Sequence, residues 1–307
     1  MYEYLYRASL ERAVHKLWIF SDLQQYDPAK ARECMEVNLR DFRALGEPAD
    51  MLWYLGDTVE GVEPDRLEDM CRMQEEAFAS LGLPLCFVAG NHDIDYIRKA
   101  GGDRVFMYEM VKRHPEWYCA PEIDQPYFKV RLGRYTVYFL TDHVAKDLSW
   151  NTTHGIVHGQ AEAYPHYALL ENLKNEIARE EGPVITASHY AFAGGSRASA
   201  LFNEHILPLP QNVKLHFYGH AHFGDFYWAG ESPYKRISWV DLHDIPQINV
   251  SSFEHVRGLQ CRSVFLHIYE DDSCGIFFRN HDAGVFTECY FPAKENFPYS
   301  ERKARGL

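Results

Sequence analysis

The sequence contains no long hydrophobic run. No window of its 307 residues approaches the roughly 18 consecutive apolar residues that a membrane-spanning helix needs. Residues 1–16 are polar and charged, without the apolar segment that a secretory signal peptide carries. These two absences argue against a membrane as a partner and predict a cytoplasmic protein.

The cysteines follow no pairing pattern. The chain has seven of them, an odd number without any CxxC spacing, and several lie inside apolar runs. They stand at positions 34, 71, 86, 119, 261, 274 and 289. This scatter predicts buried, reduced thiols in a reducing compartment, whereas a disulfide framework or a structural zinc site is the alternative.

Positive charge is in short supply. Lys and Arg number 31 against 44 Asp and Glu, so the formal net charge is -13. Such a chain has no global field that would hold a polyanion, which disfavours long nucleic acid and anionic membranes as partners. A small phosphorylated substrate stays compatible, because bound metal cations would locally outweigh the net charge.

Apolar runs and helical spacings alternate over roughly the first 100 residues. Apolar runs at residues 17–20, 51–55 and 85–89 predict strands, and the segments between them predict helices, the first beginning at Asp27-Pro28. Strand–helix–strand units pair their strands in parallel through right-handed crossovers. The pattern therefore indicates an α/β fold, in which two stacked sheets with helices outside accommodate all the elements.

The rest of the chain adds one predicted helix and further strands. The helix is expected at residues 169–177, and the strands at 128–132, 135–140, 184–187, 213–218, 247–250, 263–269 and 276–279, the last three as a meander. No repeat, low-complexity segment or linker interrupts the sequence. We therefore expect one domain over residues 1–307, in which roughly the last 70 residues supply mainly strands of the second sheet.

Five short polar blocks each follow a predicted strand. They are Ser21-Asp22-Leu23-Gln24, Gly56-Asp57-Thr58-Val59-Glu60, Gly90-Asn91-His92-Asp93, Ser188-His189-Tyr190 and Gly219-His220-Ala221-His222. In open α/β sheets, ligands bind beyond the carboxyl ends of the strands. One apolar run often ends in a polar residue by chance, but three successive runs that end in Asp22, Asp57 and Asn91 indicate a site.

The blocks contain the residue types that a two-metal site requires. Their candidate ligands are Asp22, Gln24, Asp57, Asn91, His189, His220 and His222. Such a site needs one carboxylate that bridges both ions, for which Asp57 is the candidate, with imidazoles and carbonyl oxygens around it. Asp22 and Gln24 stand two residues apart, as do His220 and His222. This spacing places both side chains of a pair on one side of an extended segment.

With these blocks the chain resembles the calcineurin-like metallophosphoesterase superfamily, from about residue 15 to about residue 225. The resemblance implies a four-layer α/β/β/α sandwich with two stacked mixed sheets, and a phosphoric ester hydrolase. By the same resemblance, one metal ion takes Asp22, Gln24, Asp57 and His222, and the other takes Asp57, Asn91, His189 and His220.

The first block departs from the superfamily's usual Asp-x-His, because Gln24 stands in the place of the histidine. A carboxamide oxygen is a harder and weaker ligand than an imidazole, which favours Mn²⁺ over Zn²⁺ or Fe. The Asp-x-Gln variant also occurs in the branch that resembles manganese-dependent ADP-ribose/CDP-alcohol diphosphatases. We therefore expect two divalent ions, with Mn²⁺ favoured and Fe or Zn²⁺ as the alternatives.

The expected reaction is an in-line attack on phosphorus by a hydroxide that bridges the two metals. A proton donor helps the leaving oxygen to depart, and His92 is the candidate for this role. Asp93 is expected to orient the His92 imidazole, as the family's GNHD block implies.

The substrate is the least constrained part of the prediction. Loop residues Asn151, His154 and Tyr190 are candidates for substrate binding. The residues leave phosphodiester, diphosphate and phosphomonoester open, with a small, nucleotide-derived substrate favoured over a phosphoprotein. The alternative functions are a protein phosphatase and a non-catalytic platform that uses the same fold to dock a partner.

Overall fold

The structure is a computed structural model that describes residues 1–46, 48–60, 64–93, 106–121, 127–141, 167–192, 203, 206–222, 238–250, 252–255 and 260–292. Its helices are α1 Tyr2–Leu10, α2 Pro28–Ala44, α3 Pro64–Ala79, α4 Phe106–Val111 and α5 Tyr167–Ala178. The first seven strands are β1 Ala13–Phe20, β2 Met51–Tyr54, β3 Leu85–Phe87, β4 Trp117–Tyr118, β5 Tyr127–Leu132, β6 Tyr135–Leu140 and β7 Val184–Ser188. The others are β8 Val213–Tyr218, β9 Trp239–Leu242, β10 Ile245–Asn249, β11 Arg262–Tyr269, β12 Cys274–Asn280 and β13 Val285–Tyr290.

The strands form two mixed sheets. The first sheet has the order β13-β12-β11-β1-β2-β3-β4, and the second has the order β5-β6-β7-β8-β10-β9. In the first sheet β1 to β4 pair in parallel, as the strand–helix–strand pattern predicts. In the second sheet β6, β7, β8 and β10 are parallel, while the edge strands β5 and β9 run antiparallel to their neighbours.

The placement of the last strands corrects the prediction from sequence. Only β9 and β10 lie in the second sheet, whereas β11, β12 and β13 extend the first sheet as an antiparallel meander beside β1. The expected meander therefore begins at β11 and does not include β10. Strand β11 is buried over almost its whole length, so its hydrophobic pattern fits either sheet and does not reveal which neighbour it pairs with.

Alternate side chains of the central strands enter two different cores. Trp18 and Phe20 of β1 pack on the helical side, with residues from α1 to α4, whereas Leu17 and Ile19 face the second sheet. Successive strand residues point to opposite faces, so a strand that is covered on both sides is apolar throughout.

The core between the two sheets holds them together. The Trp53 ring of β2 meets Phe139 and Phe217 of the second sheet, with ring centroids 5.1 and 5.7 Å apart. On the outer face of the second sheet, Leu173 and Ile177 of α5 pack in a third hydrophobic cluster. The layers therefore run helices, first sheet, second sheet, helix, which confirms the predicted four-layer α/β/β/α sandwich.

None of the helices in the described ranges combines the length and apolar character required to cross a bilayer.

Candidate metal centre

Four of the seven predicted ligands adopt the left-handed backbone conformation directly after a strand. Their φ angles are 58° for Asp22, 54° for Asp57, 61° for His220 and 40° for His222. This conformation is uncommon for residues other than glycine and costs about 1–3 kcal/mol per residue, so it persists where the surrounding structure enforces it, commonly at functional sites. The surrounding structure therefore holds the backbone at these strand ends in a conformation that the local preference of the residues would not select.

Glycines in the blocks allow the strand ends to approach each other. A Cβ atom at Gly90 would lie 2.1 Å from Asp57 Oδ1, and one at Gly219 would lie 2.6 Å from Ser21 Oγ and 2.9 Å from Asp22 Oδ2. Any side chain at these two positions would push the carboxylates away. The glycines thus explain how blocks from two sheets converge on one point.

The first group of donor atoms comes from Asp22, Asp57 and His222. One ligand atom from each lies within 4.8 Å of the others, and all three residues are buried. His222 Nε2 stands 3.2 Å from Asp22 Oδ1. Carboxylates and an imidazole at this spacing have the donor types and reach that a divalent transition metal ion requires.

The second group comes from Asp57, His189 and His220, again with one atom from each within 4.8 Å of the others. His189 Nε2 lies 3.1 Å from Asp57 Oδ2 and 3.1 Å from the amide oxygen of Asn91. Asp57 therefore belongs to both groups, which is the position that a bridging carboxylate must occupy.

Three buried oxygen atoms in this cluster have an acceptor capacity that the described residues do not use. Asp22 Oδ1, Asp57 Oδ2 and the Gln24 side-chain oxygen have no well-aligned hydrogen bond from the described residues, and the first two face only the imidazoles of His222 and His189, at 3.2 and 3.1 Å. Buried polar atoms are nearly always paired, so unpaired oxygens at one point need another partner. Bound cations meet this need, and the residues present therefore fit a dinuclear metal centre.

Burial and mutual charge perturb the acids of the centre. Burial raises the pKa of Asp22 to about 7, although the nearby His189 opposes the shift. Burial also acts to raise the pKa of Asp57, but the charges of His189 and His92 outweigh it and hold that pKa well below its usual range. Two carboxylates and an imidazole thus share a desolvated space in which positive charge is strongly favoured.

Two ligand imidazoles are oriented through their second nitrogen atoms. His189 Nδ1 donates to the Leu55 carbonyl at 2.7 Å, which leaves Nε2 for the cluster. His222 Nδ1 donates to Glu254 Oε1 at 3.1 Å, with the same consequence. Such outer partners fix the tautomer and raise the basicity of metal-binding histidines. The sequence analysis did not predict Glu254 as part of the site. The only signal for it in the sequence is a single acidic residue that follows an apolar stretch.

Asp93 does not play the part that the GNHD block suggested. Its carboxylate accepts hydrogen bonds from the backbone amides of Asp57, Thr58 and Gly90, at 2.9, 3.0 and 2.7 Å. Those amides follow strand ends and lack ladder partners, so a short carboxylate on the adjacent helical turn satisfies them. Asp93 therefore ties the second block to the third, rather than orienting the His92 imidazole.

Glu60 occupies the place beside His92 instead. Its Oε2 atom lies 3.3 Å from His92 Nδ1 and also accepts a hydrogen bond from the Gln24 side-chain amide. The second contact turns Gln24 so that its oxygen is free to face the cluster. The His92 side chain is 19% exposed, which places its ring at the border between the buried centre and solvent.

Of the three predicted substrate-binding residues, the structure describes only Tyr190. Asn151 and His154 lie outside the described residues. Tyr190 is only 4% exposed, and its ring packs against the imidazole of His220 with centroids 4.3 Å apart. A ring so placed packs on a candidate metal ligand and is too buried to offer a face for stacking on a base.

A family model described as calcineurin-like phosphoesterase matches residues 15–224. No curated protein matches the sequence. The match to one solved crystal structure covers 91% of this chain and 99% of the other chain, at 13% sequence identity. Its TM-score is 0.46, a similarity too low to support an argument.

Proposed function

The chain belongs to the calcineurin-like phosphoesterase family, and we propose that it uses two divalent metal ions, most favourably Mn²⁺, to hydrolyse a small phosphoric ester. The observation that carries the proposal is the position of Asp57 in both groups of donor atoms, beside three buried oxygens that the described residues leave unpaired. The proposed substrate is a phosphodiester, diphosphate or phosphomonoester, with a nucleotide derivative favoured.

The proposed ligands divide between the ions as the family pattern implies. Asp22, Gln24, Asp57 and His222 would hold one ion, and Asp57, Asn91, His189 and His220 the other. When bound, the two ions supply Lewis-acid chemistry, activating water and neutralising charge on the phosphate oxygens.

His92 is the proposed general acid. Its Nδ1 atom lies 3.3 Å from Glu60 Oε2, a contact that favours the protonated ring, which would give its proton to the leaving oxygen as the phosphorus–oxygen bond breaks. The partial exposure of His92 supports this role, because the leaving group must depart towards solvent. Glu60 acts as a positioning residue for both His92 and Gln24.

The acidic balance of the chain supports a small substrate. A net charge of -13 repels a polyanion at long range, whereas a single phosphate group meets mainly the local metal charge. A long nucleic acid is therefore not a proposed substrate.

The proposal is tested with protein purified without chelators. Metal content is measured by mass spectrometry, and phosphomonoesters, phosphodiesters and nucleoside diphosphate derivatives are assayed with added Mn²⁺. We expect at least two ions per chain, as the two-metal site requires. Turnover should be lost in Asp57→Asn and kept in Asp69→Asn, a matched change at an exposed aspartate of α3.

Two results would redirect the proposal. Stoichiometric metal without turnover on any ester would favour the non-catalytic platform. Turnover on phosphoproteins but on no small ester would favour a protein phosphatase.

A further inference from the structure

A second cluster of metal-binding side chains lies apart from the seven ligands. It combines Cys34 of α2, Cys261 directly before β11 and His255 from the segment 252–255. One ligand atom from each lies within 4.8 Å of the others. Three distant parts of the chain thus bring two thiols and an imidazole to one point.

The two thiols lie against the two nitrogen atoms of one imidazole. Cys34 Sγ lies 3.6 Å from His255 Nδ1, and Cys261 Sγ lies 3.2 Å from His255 Nε2. Two thiolates at about 2.3 Å from a tetrahedral zinc ion stand about 3.8 Å apart, a spacing within the 4.8 Å that contains one ligand atom from each of the three residues. Both thiols are buried, whereas the His255 side chain is 34% exposed and provides a route of entry.

Asp282 holds the imidazole in place. One of its oxygens lies 2.6 Å from His255 Nε2, and the other accepts a hydrogen bond from the Cys261 backbone amide at 2.7 Å. With Nε2 engaged as a donor to Asp282, Nδ1 offers its lone pair to an ion beside Cys34, and the Cys261 thiol, which lies 3.2 Å from Nε2, must turn towards Nδ1 to share that ion. A carboxylate that orients a metal-binding histidine in this way is a common feature of zinc sites.

The thiols also have a favourable acidity. The hydrogen bond from Cys261 lowers the pKa of Cys34 to about 7. The same interaction raises the pKa of Cys261. Zinc binds thiolates, so the two thiols would release their protons as an ion binds.

We infer that Cys34, Cys261 and His255 bind a zinc ion, with Asp282 orienting the imidazole and water in the fourth position. The set of two thiolates and one imidazole selects a soft or borderline ion, unlike the oxygen-rich centre around Asp57. The inference does not depend on the proposed phosphoesterase activity.

The zinc ion would reinforce the neighbouring centre. His255 follows Glu254 in the chain, and the Glu254 carboxylate contacts both His222 and Gln25, at 3.1 Å each. An ion that fixes His255 to α2 and to Cys261 also fixes the acid that orients His222. Occupancy of the thiol site should therefore raise the affinity of the Asp22–Asp57–His222 group for its own ion.

Cobalt substitution distinguishes the two sites. Wild-type protein is titrated with Co²⁺, and the thiolate-to-cobalt charge-transfer absorption in the near ultraviolet is recorded. The ligands around Asp57 contain no sulfur, so only the thiol site produces this band. We expect the band in wild-type protein and in Asp57→Asn, its loss in Cys34→Ser and Cys261→Ser, and its retention in Cys119→Ser, the matched control.

X-ray absorption at the zinc edge tests wild-type protein directly, because loss of a buried thiol can unfold the chain. Zinc-loaded protein should show sulfur scatterers at about 2.3 Å. Cobalt uptake without the charge-transfer band, a zinc spectrum with nitrogen and oxygen scatterers alone, or a Cys34–Cys261 disulfide in unreduced peptides would overturn the inference.

Discussion

The Glu254 carboxylate is fully buried, with one oxygen on His222 and the other on Gln25. Burying a carboxylate costs desolvation free energy, which a hydrogen-bonded partner must offset. Here the Glu254 carboxylate holds the His222 ring so that its Nε2 atom is directed at Asp22. It reaches the centre from a segment that carries none of the five blocks. The orientation of the ligand therefore depends on a residue distant from it in sequence.

Replacing Glu254 by Gln tests this dependence. We expect metal affinity to fall about 10–100-fold, because a neutral amide holds the imidazole less firmly and lowers its basicity. Metal titration followed by activity measures the change, with circular dichroism as the check on folding. Glu116→Gln, at an exposed position, is the control and should leave affinity unchanged. An affinity in Glu254→Gln equal to that of the wild type would contradict the orienting role.

His92 carries the proton in the proposed reaction. His92→Ala should keep its metal ions, since His92 contributes no donor atom to either group, but turnover should fall about 10²–10⁴-fold on esters with poor leaving groups. Esters with good leaving groups need no proton and should be hydrolysed almost as fast as by the wild type. A panel of aryl esters with graded leaving-group pKa values measures this contrast, and an equal loss across the panel would sink the acid role.

Gln24 is the point at which the centre departs from the usual family pattern. Gln24→His replaces a carboxamide oxygen by an imidazole nitrogen, a softer donor, and should shift the preference of the first ion from Mn²⁺ towards Zn²⁺. Competitive loading with both ions, followed by mass spectrometry, gives the ratio. An unchanged ratio would mean that Gln24 is not a ligand.

At the scale of single elements, the sequence predicts local structure well where the signal is local. Helix α2 begins at Pro28, and its cap Asp27 accepts from the Ala29 amide at 2.8 Å, as the Asp-Pro pair predicts. Strand β8 has the predicted bounds. Strand β4 escaped prediction because two residues carry no periodicity, and β13 because one of its faces is only half-buried.

The packing of α1 on β11 was also not predictable from local pattern. Tyr6 of α1 enters the core, and Ser9 of α1 forms a 2.7 Å hydrogen bond with His267 of β11. These contacts join residues more than 250 positions apart, and the sequence of a polar N-terminal segment does not predict them. The position of helix α1 therefore depends on its contacts with β11, which the sequence of the helix does not indicate.

His267 should make stability depend on pH. Burial, assisted by the charge of Lys16, lowers its pKa to about 3, below the value of about 6.5 in an unfolded chain. As the pH falls below 6.5 the unfolded chain takes up the proton first, so folding stability is lost progressively towards pH 3. The contribution between pH 7 and pH 5 is about 2 kcal/mol.

Urea unfolding of wild type and His267→Gln at pH 7 and pH 5 checks this contribution. The variant cannot take up a proton at this position, so its stability should fall by about 2 kcal/mol less than that of the wild type over this interval. Equal losses in the two proteins would show that His267 takes up its proton in the folded protein as readily as in the unfolded chain.

At the scale of the whole molecule, the carboxyl ends of strands from both sheets meet at one edge. The proposed ligands Asp22, Asp57 and Asn91 follow strands of the first sheet, while His189 and His220 follow β7 and β8 of the second. The inter-sheet core around Trp53 brings these ends together, so the spacing of the two donor groups is a property of the sandwich.

This organisation explains which site residues the sequence reveals. Ligands that follow strands stand in short blocks and can be recognised one block at a time. Glu254 and the Cys34–His255–Cys261 cluster come from single residues in unrelated segments, and only the fold brings each of them to its neighbours. The roles of Asp93 and Glu60 were likewise decided by side-chain direction, which spacing along the chain does not determine.

The central claim is that Asp57 joins two metal positions at this edge. Anomalous diffraction from crystals grown with Mn²⁺ tests it most directly. We predict two anomalous peaks roughly 3.5–4 Å apart, one on each side of the Asp57 carboxylate. A single peak, or two peaks that do not share Asp57, would contradict the account.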